Sequence, residues 1–125
     1  MDKVQRHIRL NIADQELTLW ERNILRQRYA VSTALNGPGE CNGSGCTPRG
    51  RHRVRLRIGE GCPENTVFVG RRPTGEIYGA ALARRFPDRD WILSRILWLT
   101  GLEPGCNRGG QVDSLRRFIY IHGCP

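Results

Sequence analysis

His122, Gly123 and Cys124 stand together near the end of a 125-residue chain. A histidine beside a cysteine can pair as imidazolium and thiolate, the ring drawing off the thiol proton so that the sulfur attacks an acyl carbon. The same triplet also reads as a plain strand end followed by a turn. The run before it, Phe118-Ile119-Tyr120-Ile121, reads as a buried strand. Its alternation puts Phe118, Tyr120 and His122 on one face and Ile119 and Ile121 on the other. Cys41-x4-Cys46, with His52 close behind, could begin a zinc site. Structural zinc takes four ligands, usually from paired cysteine knuckles, and a second pair is missing, so no metal is expected. Arg51, Arg53, Arg55 and Arg57 alternate with Val54, Leu56 and Ile58. That basic face is either a solvated sheet exterior or a contact for an anion. Sequence-tolerant nucleic-acid binders interleave stacking aromatics among their charges, and none lies here, so nucleic acid is not the expected partner.

The elements that must carry these residues are mostly strands. Ile8, Leu10 and Ile12 alternate with polar positions, Ala13-Asp14-Gln15 turns, and residues 16–20 alternate again as a hairpin. A second turn at Glu21-Arg22-Asn23 leads to a third strand from about Ile24 to Thr33. The glycine-rich segment 35–47 is expected to be a long mobile loop, because it has little to bury. Residues 51–58 form the clearest strand. A short strand follows at 65–70, then a turn, a strand and a helical turn over 74–86. Residues 92–100 suit either a helix or a buried strand by periodicity, and a strand is expected. The last strand is expected over residues 115–123.

Fifteen glycines and seven prolines call for many turns and a mainly β domain, and the length suits a single domain over residues 1–125. The net charge of +8 comes almost wholly from arginine, Lys3 being the lone lysine. Arginine forks match carboxylates and phosphates, so an anionic polymer is a natural partner. No apolar run is long enough for a membrane span, and the start shows no signal peptide. Five irregularly spaced cysteines argue against a complete disulfide framework.

Taken together, the segments resemble the L,D-transpeptidase (YkuD-type) catalytic domain. "IRLNIADQELTLWERNILRQRYAVSTA" is similar to that family's opening hairpin and third strand, "TPRGRHRV" to its Thr-Pro-x-Gly turn into a strand, and "RRFIYIHG" to the strand bearing its motif histidine. The resemblance spans nearly the whole chain. It implies a mainly β, sandwich- or barrel-like fold with short helical segments, incomplete at its C-terminal side.

The family motif runs from that histidine through some 14 to 17 residues to Ser/Thr-His-Gly-Cys, whose cysteine is the nucleophile. Two alignments are open. Cys124 could be that nucleophile, but this needs Ser or Thr where Ile121 stands and a histidine near 105–109, where "GCNRG" has none. Alternatively His122 is the general base, the carbonyl of Gly123 orients it, and the nucleophile is absent from these 125 residues. The strand context favours the second alignment, which gives Cys124 no role and leaves this chain inactive. The resemblance further implies peptidoglycan stem peptides as substrates, carbapenem-type inhibitors of the complete enzyme, no cofactor, and a periplasmic or cell-envelope location. The rival class is a non-catalytic basic β-domain that binds nucleic acid or cell-wall polymer.

Overall fold

The computed structural model describes residues 5–125. Lys3 and the first part of the leader reading lie outside them. The chain is mainly β, with 45% of its residues in strands and 7% in helices, arranged as two sheets.

The first sheet is an antiparallel meander of β1 (Arg6–Asn11), β2 (Glu16–Glu21) and β3 (Ile24–Ala30). The β2–β3 turn puts both Arg22 and Asn23 at positive φ, the twist that a two-residue hairpin needs. β3 stops at Ala30, short of the expected Thr33. The Gln15 side chain is the reason: its amide oxygen accepts from Thr33 N–H and its amide nitrogen donates to Thr33 Oγ1. A side chain thus replaces the ladder there. Leu17 is the buried residue of this sheet, while Ile8, Leu10, Ile24 and Tyr29 stay exposed.

The second sheet is built around β7 (Ile92–Gly101), so residues 92–100 are a strand as expected. β7 pairs with β4 (His52–Ile58) over its second half and with β5 (Thr66–Val69) at its start. β5 in turn pairs with β6 (Arg72–Ile77), and β8 (Tyr120–Gly123) lies along β7 over Leu93–Trp98. Strand partners satisfy the β7 backbone across most of its length, and this decides a periodicity that allowed a helix. The core joins Val67, Trp91 and Leu93, with Tyr78 and Leu82 of α1 (Ala80–Arg85) packed on it.

Two sequence expectations fail locally. β8 begins at Tyr120, because residues 114–118 form turns: Asp113 accepts from Arg116 N–H through its side chain and from Arg117 N–H through its carbonyl. Phe118 sits at φ 57° and is 52% exposed, so it is neither a strand residue nor buried. The alternation of β4 is also broken. Val54 faces Leu99 and Leu56 faces Trp98, which makes Arg55 the extra residue of a bulge. Arg53, opposite Thr100, therefore shares a face with Leu56, opposite Trp98, and the arginines do not form one uninterrupted side.

The glycine-rich segment 35–47 is held by identifiable bonds. The Arg117 guanidinium donates to the carbonyls of Gly39, Glu40 and Cys46 and to Ser44 Oγ, the shortest at 2.7 Å to Cys46. Glu40 takes a two-pronged contact from Arg49, which holds its carboxyl below the usual range. Replacing Arg117 with Ala should therefore raise amide-hydrogen exchange across residues 39–46 by about tenfold or more, since four charge-assisted bonds are lost. Unchanged exchange there would show that the loop keeps its shape without Arg117.

Candidate active site

The site follows from how β8 ends. Gly123 pairs with Leu93 beside the bulge that Ser94 makes at φ 68°. A Cβ on Gly123 would stand 2.6 Å from the Leu93 carbonyl oxygen, so only glycine lets β8 close on β7 at this point. The tight exit turns the Gly123 carbonyl toward the neighbouring imidazole, and His122 Nδ1 lies 2.7 Å from that oxygen. A carbonyl can only accept, so Nδ1 carries the proton in the neutral ring. Nε2 then keeps its lone pair and is free to take a proton. His122 is exposed, so Nε2 is open to a substrate.

Directly paired residues on adjacent strands share a sheet face. His122 pairs with Ile96, and Tyr120 with Trp98, so the imidazole continues a face made by β7. Ile96 beneath it is fully buried. The next step along is an aromatic cluster: Trp98 meets Tyr120 edge-on at 5.7 Å and Phe118 at 5.8 Å. The Arg71 guanidinium lies 5.3 Å from the Trp98 ring centre and 4.8 Å from that of Phe118, and donates to the Tyr120 hydroxyl. Arg71 forms no ion pair among the described residues. Stacking fixes its plane while leaving donors unused, which suits a carboxylate ligand.

The other sequence candidates are placed differently. Cys124 is exposed and its thiol makes no hydrogen bond among the described residues. Cys41 and Cys46 lie in the Arg117-held loop. His52 is engaged elsewhere, with Nδ1 3.1 Å from the Gly50 carbonyl and Nε2 2.8 Å from Ser114 Oγ. Ser114 is fully buried, so this Ser–His pair braces β4 against the 107–114 loop and cannot reach a substrate. No three His, Cys, Asp or Glu side chains group as metal ligands among the described residues.

Asn107, fully buried, braces the Thr47–Gly50 turn. Its amide donates to the carbonyls of Arg49 and Arg51, and its oxygen accepts from Glu103 N–H. Gly50 sits at φ 89°, and a Cβ there would lie 2.9 Å from the Asn107 amide nitrogen. The sequence does not single out Asn107, Ser114, Arg71 or Arg117. Tyr120 and His122 sharing a face was the one available pointer to the aromatic cluster. A larger hollow of about 510 Å³ on the first sheet, lined by Leu10, Ile12, Asp14 and Thr18 among others, holds neither a cysteine nor a histidine.

The exposed imidazole at this strand end, with Nδ1 bound to a carbonyl, can accept a proton at Nε2. The family model of the L,D-transpeptidase catalytic domain (YkuD) matches residues 5–125. The chain belongs to that family. No curated protein and no solved structure matches the chain.

Proposed function

We propose that this chain carries the base-bearing part of a peptidoglycan L,D-transpeptidase site, with His122 as general base and the Gly123 carbonyl orienting it. The observation that carries the reading is the 2.7 Å contact from His122 Nδ1 to Gly123 O, which leaves Nε2 as the acceptor. The nucleophile belongs to a Ser/Thr-His-Gly-Cys segment that is not among these 125 residues. In the complete site Nε2 takes the thiol proton, and the sulfur bonds to the carbonyl carbon of an L-centre in a tetrapeptide stem. The C–N bond to D-alanine breaks, and the amine leaves with the proton from the imidazolium. An amine of a second stem, or water, then cleaves the thioester and restores the thiol. The location is the periplasm or cell envelope, where stems occur. Carbapenem-type β-lactams, as acylating mimics of the donor, inhibit the complete enzyme.

The excess of arginine supports a second reading, a basic domain that binds an anionic polymer without catalysis. Salt-titrated binding separates the first reading from the nucleic-acid form of the second. The transpeptidase reading expects the chain to sediment with purified sacculi at 0.15 M salt, roughly one Debye length of 8 Å, while DNA binding falls away. Retention on DNA with no retention on sacculi would favour the second reading and overturn the first.

A further inference from the structure

The face that carries His122 continues past the aromatic cluster into a hollow of about 280 Å³ lined by Arg53, Arg55, Thr100, Leu115, Arg108, Arg116 and Asp113. β7 is regular from Ile96 to Gly101, so Ile96, Trp98 and Thr100 point the same way. Ile96 pairs with His122 and Thr100 with Arg53, which places the imidazole and the arginine hollow on one side of the sheet. Along β7 the two pairing positions lie four residues apart, about 13 Å, and β8 and β4 flank β7 on opposite edges. The Trp98 indole donates to the Leu115 carbonyl and so ties the aromatic cluster to the wall of the hollow.

Four arginines line this hollow, and none of them forms an ion pair among the described residues. Asp113 is the one acid in its lining, and its oxygens are engaged by backbone: Oδ1 accepts from Arg116 N–H and Oδ2 from Gly109 N–H. Arg53 and Arg55, two apart on β4, both reach the lining. Forked donors without a partner match carboxylates held bidentately.

We propose that the Arg53–Arg55–Arg108–Arg116 hollow is an anion subsite that holds carboxylates of an acidic stem peptide bound along the face that carries His122. The proposal rests on the peptidoglycan reading above. Arg71, midway along the face, continues the same positive track.

The test is binding of a fluorescent tetrapeptide stem to the 125-residue chain at low salt, beside the same stem with its carboxylates converted to carboxamides. Arg53→Gln/Arg116→Gln should weaken the acidic stem by at least about tenfold. The carboxamide stem should bind weakly to the parent and be indifferent to the change. Arg84→Gln/Arg85→Gln removes the same charge from exposed positions on α1 that do not line the hollow, and should leave affinity within about twofold. All four arginines of the hollow are exposed, so folding is preserved, and matched thermal melts verify it. Equal weakening by both pairs would reduce the effect to net charge and overturn the subsite. Stem binding that ignores Arg53 and Arg116 would also overturn it while leaving the peptidoglycan reading intact. A single-stranded oligonucleotide that outcompetes the stem at these arginines would overturn the assigned ligand class and that reading together.

Discussion

His122→Ala, in a protein carrying residues 1–125 followed by a Ser/Thr-His-Gly-Cys segment, is expected to slow thioester formation by about 10²–10⁴-fold. The magnitude is that of a positioned base that removes a proton in the rate-limiting step. Nδ1 is committed to the Gly123 carbonyl, so the proposed base acts through Nε2. Because the substitution lies at an exposed strand end, thermal stability should change little. The loss should shrink as pH rises toward about 8.5, where a free thiol ionises without help. Cys124→Ser should leave the rate within about threefold, since its thiol has no partner near the base. A His122→Ala rate within threefold of the parent, measured by single-turnover acylation, would remove His122 from the mechanism.

The second large effect is structural. Asn107→Ala strips a buried amide that serves two carbonyls and one N–H, joining the Arg49–Arg51 segment to the loop after β7. Each group left unpaired in a buried setting costs about 1–3 kcal/mol, and some water entry will offset part of it. The expected destabilisation is on the order of 3 kcal/mol, read by urea unfolding with an unchanged slope. Gly101 reports on the same packing, because a Cβ there would collide with the Asn107 backbone carbonyl. Gly101→Ala should therefore be at least as damaging. An Asn107→Ala midpoint equal to that of the parent would show that the brace contributes nothing.

The parts of this architecture that were legible in the sequence are those set by local alternation and turn chemistry. Ile8, Leu10 and Leu17 announce a hairpin by alternation, and "NTVFVG" a short strand by its β-branched and aromatic run between Asn65 and Gly70. Residues 92–100 were legible only as apolar, since helix and strand differ there by which neighbours arrive, and β4 and β8 arrive from elsewhere in the chain. His122 and Gly123 were legible through a resemblance, but the 2.7 Å contact between ring and carbonyl depends on the Leu93–Ser94 bulge, which no local pattern predicts. Arg55 and Phe118 misled for a similar reason. A bulge inserts one residue that alternation does not count, so the β4 side chains after Arg55 change face, and a positive-φ turn takes Phe118 out of the strand. Asn107 left no trace because its value lies entirely in three partners distant in sequence or across a turn.

The central claim, that the base lies in these 125 residues and the nucleophile does not, has one direct test. The chain as given is incubated with a carbapenem and its intact mass is measured, beside the same protein extended through a Ser/Thr-His-Gly-Cys segment. The 125-residue chain should keep its unmodified mass, and the extended protein should gain the mass of one carbapenem on the downstream cysteine. A stoichiometric adduct on the short chain that maps to Cys124 would contradict the account and make "IHGC" the nucleophile motif.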